Sequence, residues 1–180
     1  MSEPQVALRP CVAGDEHALA LVGAATFLET YSGLIDGQDL VAHTRRQHSP
    51  AVYAAWLADG HARLWLATVE PGGAPVGFLV LARPDLPVAT GPGDYEVKRI
   101  YMLGRFRHGG AGRRLMDAAA EHVRGCGGGR LLLGVYQRNP AALAFYTRYG
   151  FGEIGTRRFQ VGGQHYEDYV LGCEVRPQAG

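Results

Sequence analysis

The chain has 180 residues, enough for one domain with a sizeable core. Its 18 lysines and arginines against 17 aspartates and glutamates leave a net charge of +1, which excludes the basic field of a nucleic-acid or anionic-membrane binder. Apolar residues make up 47 %, an ordinary share for a soluble protein, and no run approaches the roughly 20 apolar residues that cross a bilayer.

In chain order, residues 6–9 read as a short strand. Gly14-Asp15-Glu16 opens a helix with acid in its first turn, where the peptide dipoles favour it. Ala18, Leu21, Val22, Ala25 and Leu28 form its expected inner stripe, and it ends near Tyr31-Ser32-Gly33. Asp36 suits the cap of a second helix over 38–47. His43 and His48 are off the i, i+4 spacing of a metal pair and read as surface residues. Ser49-Pro50 starts a third helix, with serine as cap and proline at the first helical position, running to about Asp59-Gly60.

Residues 63–70 and 76–83 read as an antiparallel hairpin around Pro71-Gly72-Gly73. The stretch 84–93, rich in proline and glycine, reads as a mobile loop. Residues 95–103 form the next strand. Its alternation slips, with Tyr95 and Val97 in one phase and Ile100 and Met102 in the other. Either a β-bulge near Lys98-Arg99 or cover on both faces accounts for this.

A glycine- and arginine-rich loop over 104–112 then feeds a helix from Arg113, with Leu115, Ala119 and Val123 on its inner face. That order suits an anion. The first turn of a helix offers N–H groups without helical partners and partial positive charge. Gly109, Gly110 and Gly112 let a ligand approach the main chain. Arg107, Arg113 and Arg114 stand at the end where a helix alone prefers acids, which makes sense if an anion sits among them; otherwise they are a solvated turn. No Gly-Lys-Ser/Thr follows, and a G-x-G-x-x-G count from Gly110 ends on Leu115, so neither the nucleoside-triphosphate loop nor the dinucleotide fingerprint is present.

Residues 130–136 form an almost wholly apolar, hence central, strand, parallel to the one before the crossover helix. Asn139-Pro140 starts another helix, with Leu143, Tyr146 and Thr147 as its inner face and Gly150 as its stop. Residues 151–161 and 165–173 are the last two strands, turning at Gly162-Gly163-Gln164. The order gives an α/β (α+β) fold, a mixed sheet of about seven strands flanked by helices, in a single domain over 1–174 with a loose tail over 175–180.

Cys11, Cys126 and Cys173 are too few and too dispersed for a disulfide framework or a thiolate metal site; reduced thiols and a cytoplasmic location fit, and the first ten residues lack a signal peptide's apolar run. No metal is expected.

Two segments belong together. Arg107-His108-Gly109-Gly110-Ala111-Gly112 fits R/Q-x-x-G-x-G/A, and the stretch from Asn139 to Phe151 holds an asparagine followed by Phe145-Tyr146 on a helix. In this order and on these elements they resemble the acetyl-CoA motif and the following helix of the GNAT superfamily of N-acetyltransferases. The element order resembles that fold as well, a mostly antiparallel sheet with one parallel strand-helix-strand unit splayed at a bulge. Thr26 to Tyr31, Lys98 to Tyr101, Leu133 to Tyr136 and Phe159 to Asp168 are similar, less specifically, to the bacterial spermine/spermidine acetyltransferase branch. Tyr136 stands where that branch often has tryptophan, and Gly162-Gly163 where it has an acidic turn.

The resemblance implies acetyl-CoA as donor and an amine, small or peptidic, as acceptor. It implies that the main chain of Ile100, Tyr101 and Met102 holds the pantetheine arm. Arg107, His108, Gly109, Gly110, Ala111, Gly112 and Arg113 would take the diphosphate. Asn139 would bond the pantetheine, Phe145 and Arg148 would lie near the rest of the coenzyme, and Tyr146 would meet the thioester sulfur. It also allows a homodimer.

The chemistry needs a neutral amine, a stabilised oxyanion and a leaving thiolate. An alkylamine has a pKa of ~10.4, so a carboxylate acting through water must take its proton. Glu96 is the first candidate, against a plain pairing with Lys98 or Arg99; Glu29 and Asp94 follow. A main-chain N–H near Met102 suits the oxyanion. Tyr146 can protonate the thiolate: full transfer from a phenol (~10) to a thiolate (~8.5) is uphill by ~2 kcal/mol in water, so a shared hydrogen bond suffices. The alternative for Tyr146 is a core aromatic. Cys126 and Cys173 show no evident histidine partner, which argues against an acetyl-cysteine route. A coenzyme-binding sensor without transfer and an acetyltransferase acting on protein N-termini or lysines remain as rivals. Glu29, Asp36 and Asp39 neither require nor exclude a polyamine.

Overall fold

In the computed structural model, which describes residues 5–177, the elements follow the expected order with one addition. They are β1 (Gln5–Pro10), α1 (Glu16–Tyr31), α2 (Gly37–Gln47), α3 (Pro50–Ala58), β2 (Arg63–Glu70), β3 (Ala74–Ala82), β4 (Tyr95–Met102), α4 (Ala111–Gly125), β5 (Gly129–Tyr136), α5 (Pro140–Tyr149), β6 (Gly152–Val161) and β7 (Gln164–Val175). The addition is a 3-10 turn over Gly104–Gly109, where the sequence reads as irregular loop. Of the expected tail over 175–180, Val175 still belongs to β7, and 178–180 lie outside the described residues, as do 1–4 at the other end.

Local chemistry sets many of these boundaries. Asp36 accepts hydrogen bonds from the amides of Gln38 and Asp39 and opens α2. Ser49 accepts from the Val52 amide and, with Pro50, opens α3. Asn139 does the same for α5 through the Ala142 amide, and Gly150 ends that helix at a φ of 118°, a conformation glycine adopts without strain.

The seven strands pair in the order β1-β2-β3-β4-β5-β7-β6. β1 and β2 are antiparallel, as are β5 and β7 and then β6 and β7. β4 and β5 are parallel over two rungs, Tyr95 with Leu131 and Glu96 with Leu132, and both strands run on past the last of them. Sequence neighbours Glu96 and Val97 are both buried, as a strand covered on both faces requires. The chain divides into two compact units. One runs to Val80 and takes in Arg99–Met116; the other holds Leu81–Lys98 and continues from Asp117.

In the first unit, α1 buries a different stripe from the expected one. Leu19, Val22, Gly23, Thr26 and Phe27 face inward, while Leu21 and Leu28 are 65 % and 52 % exposed. The helix is apolar on nearly every side, so periodicity alone admits overlapping stripes. Partners decide between them. Phe27 stacks on His43 at 4.7 Å, and at Gly23 a Cβ would lie 2.6 Å from His48 Nδ1, so only glycine lets Tyr53 and His48 come this close. His43 and His48, expected at the surface, are accordingly buried.

In the second unit, the loop over 84–93 is anchored along its length rather than loose. The Asp85 amide donates to Glu96, the Gly91 amide to Asp94, and Arg130 to the Ala89 carbonyl. Leu86 and Val88 pack against Leu132 and Val170. On α5, Tyr146 is buried as expected, Leu143 half-buried, and Thr147 exposed.

Candidate active site

In the first unit, β4 passes into the 3-10 turn and Gly110 adopts a left-handed φ of 73°, after which α4 begins at Ala111. The Arg114 amide donates to the Gly110 carbonyl at 3.1 Å. The amides of Ala111 and Gly112 precede that bond, where a helix supplies no acceptor of its own. A Cβ at Gly109 or Gly110 would meet nothing within 4 Å, so the turn is open at these two glycines, whereas Ala111 after them is fully buried. An anion can approach such a helix start through the exposed Gly109 and Gly110.

Arg107 and Arg114, two of the three arginines of this region, have partners within the protein. Arg107 donates through Nε to the Met102 carbonyl at 3.1 Å and through Nη2 to Glu29 at 3.0 Å. Arg114 reaches the Val6 carbonyl at 2.9 Å. Arg113 and His108 are exposed. On β4, Ile100 and Tyr101 are half-buried, Tyr101 lies against Phe78, and Met102 is buried over Gly77, which leaves no room for a side chain there. Of the amides near Met102, that of Leu103 is occupied by the Val76 carbonyl at 2.8 Å, which removes it as an oxyanion donor.

Beside this segment, Arg99 donates to the Gln47 carbonyl at 2.7 Å and the Tyr53 hydroxyl at 2.9 Å, with its guanidinium over Trp56. Burial and then the Arg99 charge push His43 down to about 4 and His48 down to about 3, and burial pushes Tyr53 up to about 12.

In the second unit, Glu96 is 4 % exposed and its Oε2 accepts from Lys98 at 2.6 Å and from the Asp85 amide at 2.8 Å. Asp94 is bound by Arg130 at 2.6 Å; burial works to raise it, but Arg130 and the Gly91 amide together hold it below the usual carboxylate range. With Glu29 on Arg107, each carboxylate that the sequence offers as a base is ion-paired. Tyr146 is buried between the rings of Phe145 and Phe151, at 5.4 and 5.7 Å, while Arg148 is exposed. The Asn139 side-chain oxygen is committed to its cap, so its NH2 is the group left to meet a ligand.

The cysteines need one correction. Exposed Cys126 lies 3.7 Å from His122 Nε2, one turn back on α4, a neighbour that the i, i+4 spacing already implied. Burial pushes Cys11 up to about 12 and also raises Cys173, so neither is an activated thiolate. Among the described residues no three His, Cys, Asp or Glu side chains gather as a metal site would need, and no helix is long and apolar enough to cross a membrane.

Residues 20–151 match the sequence model of the Acetyltransferase (GNAT) family. The chain belongs to the GNAT family of acetyltransferases. An uncharacterised N-acetyltransferase of Mycobacterium tuberculosis is 31 % identical over 161 residues, 89 % of this chain and 98 % of the relative. The N-alpha-acetyltransferase RimI of the same organism is 34 % identical over 109 residues, covering 61 % of this chain and 64 % of RimI. The PaiA N-acetyltransferase of Thermoplasma acidophilum, solved in complex with coenzyme A, superimposes with a TM-score of 0.76 at 18 % identity, over 94 % of this chain and 99 % of that one. The expected GNAT fold, with its seven-stranded mixed sheet and its parallel β4-β5 pair, is thus the observed one, and the GNAT chain is an acyltransferase.

Proposed function

We propose that this GNAT enzyme transfers the acetyl group of acetyl-CoA directly to a primary amine. The observation that carries the reading is the start of α4, with amides ahead of its first helical bond and open space over Gly109 and Gly110. The coenzyme A of the Thermoplasma protein supports the same donor here.

In this reading the diphosphate lies on the main chain from Gly109 to Gly112, with Arg107, His108 and Arg113 around it. The main chain of Ile100, Tyr101 and Met102 and the Asn139 amide hold the pantetheine, and Phe145 and Arg148 contact the rest of the coenzyme. Glu96 takes the ammonium proton through water. The neutral nitrogen attacks the thioester carbon, a C–N bond forms and the C–S bond breaks. Tyr146 donates to the departing sulfur and recovers the second nitrogen proton, so that amide and free thiol are the products.

The acceptor that fits best is a peptide α-amine. Its pKa of roughly 8, against ~10.4 for an alkylamine, demands far less of a base. That suits a chain whose nominated carboxylates are all ion-paired, and the likeness to RimI points the same way. The test is thiol release from acetyl-CoA with peptides, amino acids, polyamines and aminoglycosides as separate arms. Release with peptides above the other amines supports this reading. Tight acetyl-CoA binding with no thiol release from any arm would make the protein a sensor instead.

A further inference from the structure

Glu29 lies outside the family motif, on α1, yet it touches the turn that leads into the helix start. The 3-10 turn follows Leu103, whose apolar side chain cannot cap it. Its first amide, that of Gly104, donates instead to Glu29 Oε2 at 2.8 Å, across 75 residues of sequence. The same oxygen accepts from Arg107 Nη2 at 3.0 Å, and Arg107 Nε donates to the Met102 carbonyl at 3.1 Å. Met102, Arg107, Glu29 and Gly104 therefore form a closed circuit around the turn. The Leu103 and Phe106 amides fix the rest, bonded to Val76 and Leu103 carbonyls at 2.8 Å each. At Gly104 a Cβ would stand 3.0 Å from Glu29 Oε1, so this glycine makes room for the carboxylate.

We propose that Glu29 is a positioning residue for coenzyme binding: a tertiary cap that sets the turn from which the Gly109–Gly112 amides are presented. The inference rests on the assignment of those amides to the diphosphate. Both side chains of the pair are about half exposed, 47 % for Arg107 and 44 % for Glu29, and such pairs add little to global stability. The effect is local. A turn already in its bound shape spares the ligand the cost of ordering it. Without Glu29 the Gly104 amide and the Arg107 guanidinium lose their shared acceptor, and the turn samples other shapes. Glu29 takes no proton from substrate in this account, which separates it from a base.

The test is titration of CoA into wild type, Glu29→Ala, Glu29→Gln and Glu29→Asp, with KM for acetyl-CoA, kcat at saturation, and the pH–rate profile alongside. Glu29→Ala should weaken CoA by about tenfold, the loss of one good cap, and raise KM in parallel. Its kcat at saturation and its pH profile should stay at wild-type values. Glu29→Gln, which keeps an acceptor oxygen at the same reach, should restore most of the affinity; Glu29→Asp, one methylene short, should not. Wild-type CoA affinity in both the Ala and Asp variants overturns the proposal, as does a fall in kcat with unchanged KM and a lost acid limb. Should Glu29→Ala fail to fold, the Asp and Gln variants decide alone. Failure of wild type itself to bind CoA would instead remove the diphosphate assignment.

Discussion

His48 Nδ1 and the Tyr53 hydroxyl lie 2.9 Å apart in the first unit, and Arg99 donates to that same hydroxyl at 2.9 Å. With Arg99 as donor to the phenol oxygen, the phenol's own proton is available to an unprotonated His48 Nδ1. His43, stacked on Phe27, is likewise pushed down, by burial first and then by Arg99 and Arg46. Both histidines are neutral when folded, to about 4 for His43 and about 3 for His48, against 6.5 when unfolded. The unfolded chain therefore binds more protons below pH 6.5, and stability, complete above that value, falls as pH drops toward 4. At pH 5 the pair costs up to about 4 kcal/mol. Urea unfolding at pH 7 and pH 5 should show the loss, and His43→Phe, which keeps the stack, should remove about half of it. An equal loss in the variant would contradict the assignment.

Gly23→Ala tests the same contact from α1. Alanine gains roughly 1 kcal/mol of helix propensity over glycine. Its Cβ, however, would lie 2.6 Å from His48 Nδ1 and closer still to the Tyr53 hydroxyl, both buried and hydrogen-bonded. Overpacking a rigid core costs about 1–3 kcal/mol, and the bond to Arg99 is strained as well. A net loss of up to about 2 kcal/mol is expected from the difference of these terms. A variant more stable than wild type would show that the ring can move aside.

What the sequence made legible was local. The caps at Asp36, Ser49 and Asn139 and the stop at Gly150 were readable because each acts within three residues of its own position or through its own φ. So was the strand, turn and helix around Gly110, and with it the fold. What stayed hidden depends on partners far along the chain. His48 is buried against Phe27 and Gly23, 21 and 25 residues back. Arg107 answers to Glu29, 78 residues back, and Arg114 to Val6, 108 back. The tie between Asp94 and Arg130 spans 36 residues and turns a proline-rich stretch, which reads as loose, into an anchored loop. The His122 neighbour of Cys126 is different: its four-residue spacing was in plain view.

Tyr146→Phe separates chemistry from binding. The ring stays packed between Phe145 and Phe151, and only the hydroxyl is lost. A general acid contributes about 10²–10⁴-fold, so kcat should fall by at least about 10²-fold while KM for acetyl-CoA changes little. Wild-type kcat would reduce Tyr146 to a core aromatic.

Glu96→Gln separates the two acceptor classes. Glutamine keeps an oxygen for the Asp85 amide, so the loop stays anchored. With an alkylamine of pKa ~10.4, loss of the proton acceptor should cost about 10²-fold in kcat. With a peptide α-amine of pKa roughly 8 the loss should be several-fold smaller, and should shrink further as pH rises. Equal losses on both acceptors would mean that Glu96 serves only to pair with Lys98.

The most direct measurement is calorimetric titration of CoA into wild type and Gly109→Trp. Gly109 is outside the left-handed region and a Cβ there meets nothing within 4 Å, so tryptophan enters without backbone strain and sets its bulk on the open side of the turn. Wild type should bind CoA saturably, and the variant should lose about 100-fold or more in affinity at an unchanged melting temperature. Equal affinity in the two proteins would mean that the diphosphate does not rest on the start of α4.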